Sequence, residues 1–151
     1  MSDNPIETSP LQLKQLIFGR VHVEAVDSSR LPDDVWAPTF DMNGVLIQNQ
    51  IDVIPRESED KKFKQFVVVV AFKIPNPEGD GTTAPYSIDM EAQALFEIVA
   101  MDDEKQCENL VRVNGASIII GAIREQVTQI TARSVYGPLT LPTLRVLPKS
   151  D

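Results

Sequence analysis

The sequence contains few of the residues that carry metal-dependent or covalent chemistry. Its 151 residues include one cysteine, Cys107, and one histidine, His22. A single cysteine excludes an internal disulfide framework, and one cysteine with one histidine provides no histidine–cysteine cluster for zinc. No GxGxxG fingerprint is present, and the glycine-bearing stretch EGDGTT lacks the lysine of a phosphate-binding loop. We therefore expect no enzyme activity, no cofactor and no bound metal.

Basic charge and long apolar runs are also scarce. Lysine and arginine number 14 against 22 aspartates and glutamates, for a net charge of −8. This balance disfavours nonspecific attraction to nucleic acid or anionic lipid. No apolar run approaches the roughly 20 residues that span a bilayer, and the N-terminus has no basic region followed by an apolar core. We expect a cytoplasmic protein that neither inserts into membranes nor binds nucleic acid.

The length and the composition along the chain indicate a single domain. Residues 1–10 contain two prolines and several polar residues, which predicts a loose N-terminal arm. Residues 11–146 form the predicted domain, and residues 147–151 form a short C-terminal tail.

Two strands are predicted in the first third of the domain. Apolar residues occupy odd positions over residues 11–25, with the two-residue period of a half-buried strand. Gly19 interrupts this pattern and predicts a bulge that turns part of the other face inward. A second strand is predicted over residues 45–54, and Pro55 is expected to end it.

Two further strands follow. Residues 63–74 include the run FVVVVAF, which is apolar on both faces and therefore predicts a central strand. After the turn-forming segment PNPEGDGTTAP, residues 86–98 alternate clearly between apolar and polar side chains. The polar face of this fourth strand is acidic and includes Asp89 and Glu91, so it must face water or a basic partner.

The last third of the domain predicts helices and an extended tail. A short helix is expected over residues 102–113, ended by Asn114-Gly115, followed by a long helix capped by Asn114 or Ser117. The start of the long helix, IIIGAI, is apolar on every side, which indicates burial on more than one side and hence contact with another subunit. The residues expected at this oligomer interface are Ile118, Ile119, Ile120, Ile123 and Val127.

A long irregular connection joins the first two strands and carries apolar side chains. These are Leu31, Val35, Trp36 and Phe40, within a segment rich in proline and aspartate. Such side chains either tuck under the connection or face a binding partner. Both interpretations remain open from the residues alone.

Three motifs resemble the SecB protein-export chaperones. The helix segment Arg124-Glu125-x-Val127-x-x-x-Thr131-x-Arg133, followed by Tyr136 and Pro138-Leu139-x-Leu141-Pro142, is similar to the family's P-Y-A-R-E helix and its F-P-x-L-x-L-x-P continuation. Trp36-x-Pro38 resembles the W-x-P of the family's crossover, and Val21-x-Val23-Glu24-Ala25 resembles its first-strand signature. The resemblance covers about residues 11–146.

This resemblance implies a fold, an assembly and an activity. The implied fold is α+β, a four-stranded antiparallel sheet with one long C-terminal helix packed on one face. The implied assembly is a homotetramer, a dimer of dimers with the helices between the dimers. The implied activity is that of an ATP-independent holdase for unfolded or partly folded polypeptides, with Leu31, Val35, Trp36 and Phe40 in the client-binding groove.

The family also contacts the export motor SecA through acidic residues on the outer sheet face. Glu24 matches one of them, Arg20 stands where another is acidic, and Asp89 and Glu91 lie near the remaining positions. The chain also ends at Asp151, without the family's second C-terminal helix. Both departures put coupling to SecA in doubt, so the expected clients are either exported proteins or a dedicated partner such as an antitoxin. An alternative from another class is an adaptor that binds one folded partner through Arg20, Glu24, Asp89 and Glu91.

Overall fold

The computed structural model describes residues 5–79 and 81–149. They form a four-stranded antiparallel sheet of order β1-β4-β3-β2, with one long helix packed on one face. This is the predicted fold class. Residues 1–4 of the predicted arm and residues 150–151 of the predicted tail lie outside the described residues. The elements are β1 Leu11–Ala25, β2 Gln48–Arg56, β3 Phe63–Ile74, β4 Tyr86–Val99 and α1 Glu104–Thr131.

The core lies between α1 and the face of the sheet that it covers, here called the inner face. Alternate residues of β3 from Phe66 to Ile74 and of β4 from Tyr86 to Ile98 are buried on this face. The residues between them are mostly half-buried on the opposite, outer face. The prediction that the third strand is central is confirmed, because β3 pairs with β2 on one side and β4 on the other.

β1 contains two bulges rather than one. The register with β4 shifts between Phe18 and Arg20, as the glycine predicted, and also between Leu13 and Gln15. Between the bulges, Leu16 and Phe18 pack against the core, and Ile17 points outward. Part of the strand's other face therefore turns inward, as predicted. Ile17, which the sequence grouped with the half-buried positions, faces outward because two single-residue insertions reverse the faces between them.

The second strand lies later in the chain than predicted, at Gln48–Arg56 instead of residues 45–54. Val45 forms only an isolated bridge with Thr82. Pro55 does not end the strand, since it pairs with Phe66 in the register. A proline is tolerated there because β2 is an edge strand, where a residue without an N–H costs no ladder hydrogen bond on the open side.

A single helix replaces the two that were predicted, and Asn114-Gly115 lies in its middle. A Cβ at Gly115 would lie 3.1 Å from the Phe96 ring, so the glycine permits close approach of helix and sheet instead of ending the helix. The N-cap is Asp103, whose side chain accepts from the backbone N–H of Gln106. No helix in the described part of the chain is long and apolar enough to cross a membrane.

The other helix glycine gives a stability prediction. Nothing lies within 4 Å of a Cβ built at Gly121, on the open side of α1. Gly121→Ala is expected to raise the free energy of unfolding by about 0.5–1 kcal/mol, because alanine removes the backbone entropy cost of glycine in a helix. Urea denaturation of the two proteins measures the difference. Gly115→Ala is the matched control, where the same gain is offset by the contact with Phe96, so equal stabilisation at both positions would contradict this account.

The predicted oligomer interface needs correction for four of its five residues. Ile119, Ile120, Ile123 and Val127 are buried against the chain's own sheet and cannot form a contact surface. Ile118 alone among the five is exposed, at 41%. One face of α1 carries three isoleucines of IIIGAI and packs on the sheet, while the opposite face presents Ile118 and Gly121. Contact of that open face with another subunit stays a prediction.

After α1 the chain runs back along the helix as an extended tail. Leu139 and Leu141 are 1% exposed, and their backbone groups bond to helix side chains. Thr131 accepts from the Leu139 N–H at 2.9 Å, and Thr128 donates to the Leu139 carbonyl at 3.0 Å. Arg124 donates to the Leu141 carbonyl with two nitrogens, at 3.2 and 3.0 Å. The helix side chains thus fix a segment that has no regular structure of its own.

Candidate functional site

The connection between β1 and β2 leaves the sheet beyond Ala25 and contains two short 3-10 turns, Ser28–Arg30 and Ala37–Thr39. Asp27 caps the first turn by accepting from the backbone N–H of Ser29 at 2.9 Å, which lowers the pKa of Asp27. Arg30 donates to the carbonyl of Asn76 at 2.7 Å and so joins the connection to the loop between β3 and β4. The connection is therefore held in a defined conformation despite its irregular backbone.

Tyr136, just after α1, holds this connection at two points. Its hydroxyl donates to the Val26 carbonyl, and its own carbonyl accepts from the Ala37 N–H at 2.8 Å. Residues 27–36 between these points form what we call the crossover loop. Both ends of the loop are thus attached to one residue, which keeps the loop close to the end of α1.

A buried tyrosine, Tyr86, holds the backbone at Tyr136 by hydrogen bonds. The Tyr86 hydroxyl accepts from the Tyr136 N–H at 3.0 Å and donates to the Gly137 carbonyl at 2.8 Å. Burial raises the pKa of Tyr86, and the two tyrosine rings meet edge to face with centroids 5.8 Å apart. Tyr86 lies at the start of β4, so this pair connects the sheet to the segment that follows the helix.

An open groove of about 540 Å³ lies between the crossover loop and that segment. Its apolar lining comes from both sides, namely Leu31, Pro32, Val35, Val135 and Tyr136. Asp33 and Asp34 add negative charge to the lining. Val135 is 70% exposed, so the groove offers apolar surface to solvent without any covering element among the described residues. We call this the crossover groove.

Trp36 follows the groove residue Val35 in the chain, is not itself part of the groove lining, and is half covered. Its ring packs over Gly137, where an added Cβ would come within 2.6 Å of ring atom Cη2. Gly137 also has a positive φ of 82°, so glycine is required there for both backbone and space. The ring remains 51% exposed. One side of this indole is therefore tucked against Gly137, and the other side faces solvent, where binding of a partner stays a prediction.

The crossover groove brings together some of the predicted client-binding residues. Leu31 and Val35 line it and Trp36 adjoins it, whereas Phe40 is half-buried against the core and is not part of the lining. Val135 and Tyr136 were not predicted as lining residues. Tyr136 belongs to the segment that carried the family resemblance, but nothing in the sequence indicated that this segment faces the crossover loop.

The predicted partner-binding residues lie together on the outer face, but their charges are largely neutralised there. Arg20 lies 2.8 Å from Asp89 and 3.5 Å from Glu91, and Lys73 lies 3.9 Å from Asp89. The hydrogen bond to Asp89 raises the pKa of Arg20. Glu24 contacts His22 at 3.3 Å. A basic partner would meet little unbalanced negative charge at Asp89 and Glu91.

The described residues offer no obvious covalent or metal site. Over 5–79 and 81–149, no group of three or more histidine, cysteine, aspartate or glutamate side chains is placed to hold a metal ion. Cys107 is fully buried in α1, and burial raises the pKa of its thiol. A buried thiol with a raised pKa is a poor nucleophile.

Comparisons with known proteins bear on the fold. No family model matches the sequence, and no curated protein matches it significantly. Among solved structures, the chain is similar to the SecB-like chaperone Rv1957 of Mycobacterium tuberculosis, solved in complex with a ChAD peptide from the Rv1956 HigA1 antitoxin. The two share 18% identity over 91% of this chain and 92% of that chain, with a TM-score of 0.52.

A protein of unknown function from Streptococcus agalactiae is also similar, at 14% identity over 87% of this chain and 96% of that chain, with a TM-score of 0.55. Both similarities extend over most of each chain, so they concern the whole sheet and its helix. The described part of the chain adopts a SecB-like fold.

Proposed function

We propose that this protein is an ATP-independent holdase chaperone that binds unfolded or partly folded polypeptides in the crossover groove. The observation that carries the proposal is the open face of Trp36 beside a 540 Å³ groove with an exposed apolar lining. An exposed aromatic residue near an open groove with apolar side chains on both walls is typical of sites that take the side chains of a bound peptide. The proposed activity requires no catalytic residue and no cofactor.

The chemistry of the groove fits clients of varied sequence. Leu31, Val35 and Val135 offer aliphatic surface, and each Å² of apolar area removed from water contributes about 25 cal/mol. Such burial discriminates poorly between apolar side chains. Asp33 and Asp34 add a preference for basic residues beside the apolar ones, since opposite charges speed encounter and like charges oppose it.

The SecB-like neighbour from M. tuberculosis, which binds an antitoxin peptide, supports a polypeptide client. We propose a dedicated client, such as an antitoxin, over export through SecA. The ion pairs of Arg20 and Lys73 with Asp89 and Glu91 support this choice, because they leave little acidic surface for SecA.

For the assembly we propose a cytoplasmic homotetramer, a dimer of dimers. The open face of α1, with Ile118 exposed, supports packing of helices between dimers. Sedimentation velocity measures the mass of this assembly directly.

Suppression of aggregation tests the proposed activity. A few micromolar of the protein, without nucleotide, is expected to reduce light scattering from a chemically denatured model protein diluted into buffer. Because the contacts are apolar, suppression should persist at high salt. No suppression by the folded protein would contradict a holdase. Binding that fades with salt would favour the adaptor alternative, with Glu24, Asp89 and Glu91 as the contact residues.

A further inference from the structure

The outer face of the sheet carries an apolar band that no described element covers. The outer band consists of Ile17, Ile54, Val67, Val69 and Leu95. Leu95 pairs with Val67, which pairs with Ile54, so these three form one row across β4, β3 and β2. Ile17 and Val69 lie in the next row, on either side of Gln93. Ile17 is 45% exposed and Ile54 is 49% exposed. α1 packs on the inner face and leaves this band open.

The size of the outer band limits what can occupy it. Four strands spaced about 4.8 Å apart make it roughly 15 Å wide, the length of about four or five extended residues. Five side chains in partial contact with solvent offer on the order of a few hundred Å² of apolar surface. A stable protein–protein interface buries about 800 Å² on each partner. The band alone therefore fits a short extended segment better than a second copy of the chain or a folded domain.

Most charges that flank the band are paired within the sheet, and the two that make no ion pair among the described residues, Asp52 opposite Val69 and Arg56 two residues after Ile54, have opposite signs. At one end Lys14 lies 3.8 Å from Glu97, and at the other end Arg20 and Lys73 neutralise Asp89 and Glu91. The chain as a whole carries a net charge of −8 and therefore repels acidic segments of a client. This repulsion is weakest at a face whose own positive and negative charges cancel. An occupant of this band is selected by its apolar side chains and not by its charge.

A shallow depression of about 130 Å³ lies within the band, with Ile17, Val67 and Leu95 in its lining. Cavities of about 150 Å³ hold a benzene molecule, so the depression has room for one apolar side chain. Gln15, Gln93 and Arg56 also line it. Amide side chains both donate and accept hydrogen bonds, which suits them to the main chain of a bound segment of any sequence.

We propose that the outer band is a second contact site for the same unfolded polypeptide that occupies the crossover groove. The occupant is an extended segment of about four or five residues rich in aliphatic or aromatic side chains. This inference rests on the proposed holdase function. The crossover loop follows the end of β1, and eight residues of strand, about 27 Å, separate Ile17 from Ala25. A client that spans this distance binds at both places, and the second contact then gains from a high effective concentration.

Two peptides and two matched variants test the inference. One peptide has about eight residues and cannot occupy the groove and the band at the same time, and the other has about thirty and can reach both. The double variant Ile17→Thr with Ile54→Thr removes apolar surface and keeps β-branched side chains that suit strands. The control is Leu13→Thr with Val21→Thr, which changes two side chains of β1 that are 43% and 44% exposed but lie on the inner face.

The double variant at Ile17 and Ile54 is expected to raise the Kd of the long peptide about tenfold, and the Kd of the short peptide should stay within twofold. The control variant should leave both unchanged. An unchanged Kd for the long peptide would overturn the second site while leaving the proposed function standing. Equal weakening of both peptides would also overturn it, since the substitutions would then act on the groove.

Two further measurements complete the test. If neither peptide binds the unsubstituted protein, the proposed holdase function itself is refuted. Sedimentation velocity of the variant and the unsubstituted protein, both without client, tests whether a second copy of the chain occupies the band instead. A smaller assembly for the Ile17 and Ile54 variant would show that the band contacts a second copy of the chain, and this result would overturn the inference.

Discussion

Trp36→Ala is expected to raise the Kd of an unfolded client about thirtyfold, the equivalent of roughly 2 kcal/mol lost at an aromatic anchor. The indole is half exposed beside the crossover groove, and its other side rests on Gly137. A client side chain packed on the open face would bury the whole ring. Isothermal titration or fluorescence anisotropy with an apolar peptide measures the change.

Stability and a second exposed residue separate binding from packing. Because half of the Trp36 ring is already in solvent, its removal should lower the free energy of unfolding by no more than about 1–2 kcal/mol, less than truncation of a buried aromatic. Val99→Ala is the control, since Val99 is equally exposed at 51% but lies at the far end of β4 from the groove. If Trp36→Ala unfolds the protein, or if Val99→Ala weakens binding as much, Trp36 is not a client anchor.

The largest stability loss is expected from Tyr86→Phe, about 2–4 kcal/mol in the free energy of unfolding. The substitution leaves the Tyr136 N–H and the Gly137 carbonyl without their partner, and each unsatisfied buried polar group costs about 1–3 kcal/mol. It also removes the support of the segment that holds the crossover loop. Chemical denaturation followed by circular dichroism measures the loss.

Tyr136→Phe is the matched control for this change. It removes one hydroxyl, which donates to the Val26 carbonyl in a part-buried position, so the expected loss is about 1 kcal/mol. Its effect should appear mainly as weaker client binding, because the crossover loop keeps only its attachment at Ala37. Equal losses of stability for the two variants would contradict a central role for Tyr86.

The pKa of Tyr86 adds a test by pH. Burial raises it, so the unfolded chain loses the phenol proton at lower pH than the folded protein does. The contribution of Tyr86 is complete below the unfolded pKa of about 10 and declines as the pH rises above that value. Tyr86→Phe should remove this part of the alkaline loss of stability.

The sequence predicted the elements whose pattern is local. The apolar run and the clean alternation located β3 and β4 within one residue, and Gly19 located one bulge of β1. The other bulge, between Leu13 and Gln15, has no glycine to mark it, so the outward position of Ile17 was missed. Gly115 misled for a related reason, because its use is set by Phe96, a distant residue in the sheet.

The candidate site was predictable on one side only. Apolar side chains in a polar, proline-rich stretch marked Leu31, Val35 and Trp36 of the connection as candidate binding residues. The opposite wall comes from Val135 and Tyr136, about a hundred residues later. Only the return of the chain after α1 places them beside the loop, and no local pattern encodes that return.

The strand order has a consequence for how this chain reaches its native state. β2, β3 and β4 pair with their neighbours in sequence, whereas β1 is made first and pairs only with β4. Pairing of segments so far apart is slow, because a long loop must close before any contact forms. We expect a three-stranded meander to form early and β1 to add last. Until β1 pairs, the side chains of Leu16, Phe18 and Val23, which pack against the core in the folded protein, are exposed to solvent. The folding intermediate is then itself prone to aggregation, like the unfolded clients that the protein is proposed to bind.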